Sequence, residues 1–164
     1  MLNTMHQTER RPDMQEQGEQ NLADHAAHPT VVIVDTDQAV LQLMEDLLHT
    51  EGYTTHSFAG YNAHDTAIQQ LSPDLVILDA HPRHAHALIA MVHQLRRTPT
   101  LCTTPIIIDS TDKRLLQSVS ESLNNVGCYT FEKPFDINVF LQLIELALDT
   151  TSPCNGTNPY PCMS

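Results

Sequence analysis

The segment LVILD, at residues 75–79, consists of four consecutive large apolar residues and a terminal aspartate. Ser72, Pro73 and Asp74 precede it and are typical of a turn. A short apolar run that follows a turn predicts a β-strand buried on both faces, because a strand with one exposed face would alternate with polar residues. Such a strand needs other elements of the chain on both of its sides.

Two other segments have the same character. VVIVD (31–35) and PIIID (105–109) are rich in β-branched residues and also end in an aspartate. YTTHSFA (53–59) and CYTFE (128–132) are more polar and predict two further strands. The chain therefore has five predicted strands, and three of them have the composition found at the centre of a parallel sheet.

Helical periodicity fills the intervals between and after these strands. Asp37 is placed as the N-cap of the first predicted helix, and Gly52 follows its end. The apolar spacing assigns Leu43 and Val139 to the inward faces of the first and last helices. The predicted helices cover residues 38–50, 61–71, 84–96, 112–124 and 136–148. This alternation predicts an α/β fold, a (βα)5 doubly wound five-stranded parallel sheet.

One folded domain, at residues 30–149, is predicted between two polar segments. The chain has 164 residues, of which 41% are hydrophobic, so a single core can form. Residues 1–29 are rich in Gln, Glu, His and Asn and predict a disordered arm, whereas residues 150–164 predict a flexible tail. The four cysteines form no C-x-x-C pair, and free thiols are the favoured interpretation.

The charge balance excludes several classes of partner. Lys and Arg number 8 and Asp and Glu number 20, for a formal net charge of -12. Nucleic acids and anionic membranes are bound by clustered Lys and Arg, so neither is an expected partner. No apolar stretch approaches the roughly 20 residues that span a bilayer, and the N-terminus lacks the apolar segment of a signal peptide. A cytoplasmic protein that contacts other proteins is expected.

Charged residues collect where the predicted strands end. Asp35 ends the first strand and Asp37 follows it, Asp79 ends the third strand, Asp109 ends the fourth, and Lys133 comes after the fifth. The functional site of a doubly wound sheet lies beyond the carboxyl ends of its strands. Carboxylates grouped there can bind a hard cation such as Mg²⁺, and a nearby lysine can pair with a phosphate. A carboxylate in this setting can also accept a phosphoryl group as a nucleophile.

The histidines that follow Asp79 offer a second kind of site. His81, His84 and His86 could together hold a transition metal, which needs three or four converging ligands. The spacing of His84 and His86 suits one face of a strand, whereas the helix predicted from residue 84 would make the two side chains diverge. A polar loop beside Asp79 is the favoured interpretation, and a metal site is the alternative.

The segments VVIVDTD, PDLVILD, PIIIDST and EKPF occur in an order and at spacings that identify a family. Over about residues 30–149 the chain resembles the receiver domain of bacterial two-component response regulators. The resemblance implies the sheet order 2-1-3-4-5 and Mg²⁺-dependent transfer of a phosphoryl group. The implied donor is the phosphohistidine of a sensor histidine kinase or phosphotransfer protein, and the implied output is contact with a downstream protein target.

The resemblance also implies roles for individual residues. Asp79 matches the phosphoacceptor, and Asp35 matches the first acid of the pair that holds Mg²⁺, to which Asp79 and the backbone carbonyl of His81 also contribute. Ser110 matches the hydroxyl residue that bonds the phosphoryl oxygen and moves on activation. Lys133 matches the lysine that contacts the phosphoryl group, and the Lys-Pro peptide bond after it is expected to be cis.

Some positions depart from the family pattern. Thr36 stands where a second acid is usual, so one carboxylate is missing from the implied cation site. Asp37 is a further candidate ligand if the loop shifts, although its role as a helix N-cap is the favoured interpretation. Asp109 occupies a position that is usually apolar, and it is either a replacement carboxylate or a residue facing a helix. The aromatic switch position falls on Thr130, or on Phe131 if one residue is skipped.

Two functions follow from this pattern. The first is a stand-alone receiver that is phosphorylated on Asp79 and signals by protein contact, since the chain ends soon after the fifth helix. It would not be an enzyme beyond catalysing its own phosphorylation and dephosphorylation. The alternative is a pseudo-receiver, which binds its partners without phosphorylation. Thr36 favours the alternative, whereas Asp79, Ser110 and Lys133 together favour the first function.

Overall fold

The protein is built on one five-stranded parallel sheet. A computed structural model describes residues 28–61, 65–123 and 128–149. The strands are β1 (Thr30–Asp35), β2 (Thr54–Ala59), β3 (Leu75–Asp79), β4 (Ile106–Ser110) and β5 (Cys128–Glu132). They lie side by side in the order β2-β1-β3-β4-β5, and every neighbouring pair is parallel. The predicted fold class and strand order are therefore confirmed.

Five helices connect the strands or follow the last one. They are α1 (Gln38–Thr50), α2 (Asp65–Leu71), α3 (Ala85–Arg97), α4 (Lys113–Ser122) and α5 (Ile137–Asp149). A short 3₁₀ turn, Pro82–His84, precedes α3. The predicted helix 61–71 is too long at its start, because Tyr61 lies in the loop before α2. None of the helices in these ranges is long and apolar enough to cross a membrane.

The ends of α1 follow the expected chemistry. Asp37 has an extended backbone, and its side chain accepts hydrogen bonds from the backbone N–H groups of Ala39 at 2.8 Å and Val40 at 3.4 Å. These bonds satisfy donors that a helix leaves unpaired in its first turn, and they confirm the N-cap interpretation. After the helix, Gly52 has a φ of +87°, a left-handed conformation that suits glycine.

The two faces of the sheet bury separate apolar clusters. Alternate residues of a strand point to opposite faces, so Val32 and Val34 pack on the side of α2, α3 and α4. Val31 and Ile33 pack on the opposite side, against α1 and α5. We call the second cluster the α1/α5 core. Its helical members are spaced three or four residues apart: Leu41, Met44 and Leu48 in α1, and Phe140, Ile144 and Ala147 in α5.

Three sequence-based assignments are wrong. Leu43 is 67% exposed and Val139 is also exposed, because each lies outside the stripe of buried residues and is rotated by about 100° from its nearest buried neighbour in the chain. Cys102 is disulfide-bonded rather than a free thiol, whereas Cys128 is free as expected. Cys154 and Cys162 lie outside the described residues, as do the predicted tail and nearly all of the predicted N-terminal arm.

The contrast between two leucines of α1 gives a test of the fold. Leu48 is fully buried in the α1/α5 core, and Leu43 on the same helix is exposed. We expect Leu48→Ala to lower the free energy of unfolding by about 2–5 kcal/mol, through lost burial and a residual cavity. Leu43→Ala should change it by less than about 0.5 kcal/mol. Urea-induced unfolding followed by circular dichroism measures both values, and equal losses would contradict the assigned helix face.

Candidate functional site

The charged site lies on the same face of the sheet as the α1/α5 core, at the carboxyl ends of the strands. Asp35 follows Val31 and Ile33 on the same face of β1, Asp79 follows Leu75 and Ile77 on β3, and Asp109 follows Ile107 on β4. Asp79 and Asp109 are direct neighbours in the register of β3 and β4. The period-two alternation that buries the apolar residues therefore brings all three carboxylates to one face and one edge.

Lys133 joins the three carboxylates. Its Nζ lies 3.1 Å from Asp35 Oδ2, 3.0 Å from Asp79 Oδ1 and 3.2 Å from Asp109 Oδ1. The residue directly follows β5, where its backbone N–H donates a hydrogen bond to the Ser110 carbonyl at 2.8 Å. The Lys133-Pro134 peptide bond is cis, as the family resemblance implied. Burial lowers the pKa of the Lys133 ammonium, but the carboxylates raise it by more, so the net pKa lies above its ordinary value.

Asp109 is the most deeply buried of the three acids. It is 1% exposed, and neither of its carboxylate oxygens has a hydrogen-bond partner among the described residues. Its Oδ1 forms an ion pair with Lys133 at 3.2 Å, and the same ammonium donates hydrogen bonds to Asp35 and Asp79. Burial raises the pKa of Asp109 to about 7, and the nearby ammonium offsets only part of this effect.

An open cavity of about 500 Å³ lies above this charged cluster. Its walls include five of the residues predicted for the site, namely Asp35, Asp37, Asp79, His81 and Lys133, together with Thr36, Gln38, Val40 and Thr111. The side chain of Asp79 is 15% exposed, which makes it the most open of the three acids that contact Lys133, since those of Asp35 and Asp109 are almost fully buried. The cavity thus gives a ligand access to a carboxylate whose neighbouring charges are buried.

Ser110 does not line the cavity. Its hydroxyl is buried, donates a hydrogen bond to the Ala80 carbonyl, and accepts one from the backbone N–H of Asp112 at 3.1 Å. The neighbouring Thr111 is exposed and does line the cavity. The hydroxyl of Ser110 is therefore engaged by the backbone after β3 and by the start of α4.

The other predicted oxygen donors are partly engaged elsewhere. The carboxylate of Asp37 caps α1, and its backbone N–H donates to Asp35 Oδ1 at 2.8 Å. The carbonyl of His81 accepts a hydrogen bond from the N–H of His84 at 2.9 Å within the 3₁₀ turn, which leaves one of its two lone pairs. Thr36 is exposed and brings no carboxylate to the cavity.

The histidines form part of the loop after β3. Nδ1 of His81 accepts a hydrogen bond from the backbone N–H of Arg83 at 3.2 Å and so caps the 3₁₀ turn. The ring centroids of His81 and His84 are 5.9 Å apart, and His86 is exposed at the start of α3. Within the part of the chain that the structure describes, no three His, Cys, Asp or Glu side chains are arranged to hold a metal ion.

Tyr61 contacts the site and was not singled out from the sequence. Its hydroxyl donates a hydrogen bond to the backbone carbonyl of Asp79, and its ring centroid lies 6.2 Å from that of His84. Burial, and secondarily the charge of Asp79, raises the pKa of this phenol, so it stays protonated as a donor. A signal was available, because Tyr61 follows the carboxyl end of β2, but the apolar periodicity assigned it to a helix.

The two candidates for the aromatic switch position lie on opposite faces of β5. Phe131 faces the α1/α5 core, where its ring centroid lies 5.3 Å from that of Phe135 and 5.6 Å from that of Phe140. Thr130 faces the other side of the sheet, beside α4, and is exposed. The gapless assignment to Thr130 and the gapped assignment to Phe131 thus fall on opposite faces.

These observations define the class of the protein. It is a doubly wound α/β domain with three aspartates and a lysine at the carboxyl edge of its sheet. The chain belongs to the response regulator receiver domain family, whose sequence model matches residues 31–145. No curated protein sequence matches the chain significantly.

Solved structures of receiver domains share the fold. Chemotaxis protein CheY4 of Vibrio cholerae is 19% identical, with a TM-score of 0.61, and the match covers 74% of this chain and 99% of that chain. The receiver domain of a signal transduction histidine kinase from Syntrophus aciditrophicus is 23% identical, with a TM-score of 0.60 and coverages of 79% and 97%. The receiver domain of nitrogen regulatory protein C is 25% identical, with a TM-score of 0.62 and coverages of 76% and 98%.

The hydrogen bond of Tyr61 predicts a measurable contribution to stability. Tyr61→Phe leaves the ring in place but removes the donor to the Asp79 carbonyl, and we expect a loss of about 1 kcal/mol in the free energy of unfolding. Tyr53→Phe is a matched control, because the Tyr53 ring is also partly buried but its hydroxyl makes no hydrogen bond to the described residues. Urea unfolding that gave the same small change for both variants would contradict this role.

The raised pKa of Asp109 predicts a pH-dependent stability. The ordinary pKa of the carboxyl group is 3.8, and the folded state holds it at about 7. Between these values the unfolded chain ionises first, so this group makes the protein less stable as the pH rises from about 4 to 7. Asp109→Asn removes the effect, and the stability of the variant relative to the parent should increase by on the order of 4 kcal/mol across this range.

Urea unfolding of the two proteins at several pH values between 4 and 8 measures this difference. Asp112→Asn serves as the control, because Asp112 caps α4 outside the charged cluster and asparagine also caps helices. A stability difference between Asp109→Asn and the parent that did not vary with pH would show that Asp109 does not titrate in this range.

Proposed function

We propose that the chain is a phosphoacceptor receiver in two-component signal transduction, with Asp79 as the residue that is phosphorylated. The observation that carries the proposal is the setting of Asp79. Its carboxylate faces an open cavity, and one of its oxygens lies 3.0 Å from the ammonium of Lys133. The other oxygen makes no hydrogen bond within the described residues and is free to act as a nucleophile.

The proposed reaction takes a phosphoryl group from a phosphohistidine. An oxygen of Asp79 attacks the phosphorus atom, a P–O bond forms, and the P–N bond breaks with its electron pair remaining on the imidazole nitrogen. Negative charge then rests on the phosphoryl oxygens, and the ammonium of Lys133 is placed to neutralise part of it. Attack of water on the aspartyl phosphate would return the carboxylate and release inorganic phosphate. The chain would catalyse only its own phosphorylation and dephosphorylation, and it is not proposed to be an enzyme in any other sense.

The oxygen donors at the cavity fit a hard divalent cation. Asp35, Asp79 and the carbonyl of His81 are the ligands proposed for Mg²⁺. When bound, Mg²⁺ would supply positive charge toward the phosphoryl oxygens. Asp37 is not proposed as a ligand, because its carboxylate is committed to capping α1. With only two carboxylate ligands, water would complete the coordination, as Mg²⁺ commonly allows.

Ser110 and the loop after Asp79 supply the proposed response to phosphorylation. The hydroxyl of Ser110 is held by the Ala80 carbonyl, one residue from the phosphoacceptor. A phosphoryl oxygen on Asp79 is a stronger, charged acceptor for that hydroxyl. Movement of Ser110 toward it would release the Ala80 carbonyl and alter the start of α4, since Asp112 N–H now bonds to the same hydroxyl oxygen.

The proposed partners are proteins. The donor would be a sensor histidine kinase or a phosphotransfer protein, whose phosphohistidine enters the open cavity. The target of the signal would be a downstream protein that contacts α4, β5 and α5. Exposed Ile137, Val139 and Leu146 on α5 are available for such a contact. Direct binding of nucleic acid is not proposed, because the net charge is -12.

A second candidate function is a pseudo-receiver that binds partners without phosphorylation. The observation that favours it is the cation site, where Thr36 brings no carboxylate and Asp37 is committed to the helix cap. Such a protein would use the same surfaces and leave Asp79 unmodified.

Intact mass spectrometry after incubation with Mg²⁺ and acetyl phosphate separates the two functions. We expect the full chain to gain the mass of one phosphoryl group, and Asp79→Asn to gain none. The adduct should be lost on treatment with hydroxylamine, which cleaves acyl phosphates, and omission of Mg²⁺ or addition of EDTA should reduce its yield strongly. Asp37→Asn is the matched carboxylate control, because asparagine can keep the helix cap, and it should remain phosphorylated.

The outcomes are distinct. If the parent shows no adduct with acetyl phosphate or with a phosphorylated histidine kinase, the phosphoacceptor function is wrong and the pseudo-receiver remains. An adduct of equal yield on the parent and on Asp79→Asn would place the phosphoryl group on another residue.

A further inference from the structure

We propose that Asp109 supplies the third negative charge of the divalent-cation site, a charge that position 36 does not provide in this chain. The inference rests on the proposed function, and it assigns to a buried strand residue a role in cation binding that is exerted through its charge. Asp109 is not among the residues that line the cavity, so it would act from beneath the ligands and would not coordinate the ion itself.

The first argument is the isolation of the Asp109 carboxylate. A buried carboxylate without hydrogen bonds is costly, because it loses its interactions with water and receives nothing equivalent in return. Asp109 is 1% exposed, and neither oxygen has a hydrogen-bond partner among the described residues. The ion pair with Lys133 at 3.2 Å offsets part of this cost, but the same ammonium also donates hydrogen bonds to Asp35 and Asp79 and so divides its charge among three carboxylates. The carboxylate therefore has unsatisfied capacity to stabilise a positive charge.

The second argument is the formal charge of the cluster. Three carboxylates surround one ammonium, so the ionised cluster carries two negative charges in excess. A divalent cation in the adjoining cavity would balance this excess. With Asp35 and Asp79 alone the excess would be one. Asp109 is itself buried, so water screens its charge less than it would screen the charge of an exposed side chain at the cavity mouth.

The third argument is position. Asp109 is the register neighbour of Asp79 on β4, and both lie on the face of the sheet that carries Asp35. The backbone of the two adjacent strands fixes this arrangement, since the Ala80 N–H donates to the Asp109 carbonyl at 2.6 Å. The charge is thus held in place by the sheet, whereas a side chain at position 36 would be exposed at the start of a loop.

Binding of Mn²⁺ to the full chain tests the proposal. The electron paramagnetic resonance signal of free Mn²⁺ gives the dissociation constant directly, and competition with Mg²⁺ gives its value for the smaller ion. The proteins are the parent, Asp109→Asn, Thr36→Asp and the double variant Thr36→Asp/Asp109→Asn, at pH 8. Asp112→Asn is the matched control, because it removes a carboxylate three residues further along the chain that caps α4 outside the cluster.

We expect Asp109→Asn to weaken Mn²⁺ binding about tenfold or more, and Thr36→Asp to restore most of the loss in the double variant. Asp112→Asn should bind within about twofold of the parent. Unchanged binding by Asp109→Asn would overturn the proposal. A loss that Thr36→Asp does not restore would also overturn it, because Asp109 would then act by shaping the site or by holding Lys133 rather than through its charge.

Thermal unfolding of each variant by circular dichroism guards against a loss of fold. If Asp109→Asn is not folded, Asp109→Val replaces it, since valine suits a buried strand and also removes the charge.

The phosphorylation assay separates this inference from the proposed function. A parent that is phosphorylated while Asp109→Asn binds Mn²⁺ normally would refute only the inference. A charge-dependent Mn²⁺ site in a chain that is never phosphorylated would refute only the function, and a parent that binds no Mn²⁺ would refute the role of Asp109.

Discussion

The ammonium of Lys133 among three aspartates is the interaction on which the functional end of the molecule depends. Buried carboxylates repel one another and lose solvation, and the ammonium between Asp35, Asp79 and Asp109 offsets part of both costs. The ammonium reaches all three within 3.2 Å because β5 ends immediately before it and because β4 pairs with β5 in parallel. The strand order of the sheet is therefore also an electrostatic requirement.

The same face of the sheet serves both stability and chemistry. Toward the amino ends of the strands, the side chains on this face are apolar and pack against α1 and α5. At the carboxyl ends of β1, β3 and β4, the residues on the same face are aspartates. Asp79 is in this way fixed by the packing of Ile77 and Leu75 beneath it on the same strand. Tyr61, in the loop after β2, and Ser110, at the end of β4, hold the backbone around it through the carbonyls of Asp79 and Ala80. A phosphoryl group on Asp79 would thus act on a loop that hydrogen bonds already restrain.

The sequence predicted the fold well because three continuous apolar runs admit few arrangements. Segments such as LVILD need cover on both faces, and alternating helices provide it in the parallel sheet that is observed. The same patterns did not fix which side chains of an exposed helix point inward, as Leu43 and Val139 show, because a few extra apolar residues on a helix blur its buried face. For the site, position at a strand end predicted the lining of the cavity by Asp35, Asp79 and Lys133. It left Asp109 undecided, although the alternation along β4 could have placed it beside Asp79. It missed Tyr61, whose contact depends on the path of a loop.

Asp109 also bears on the choice between a working receiver and an interaction module. The two functions share a fold, and a fold alone does not distinguish them. A protein that used only its surfaces would have no need of a buried carboxylate that the described residues leave without a hydrogen bond, and an apolar residue of similar size would make its core more stable. The cluster instead holds three acids and one ammonium and opens toward a cavity. Its excess negative charge destabilises the isolated domain, and it would be offset when a divalent cation binds. Because the cost in stability lies at a site that a cation could occupy, it favours the working receiver over the interaction module.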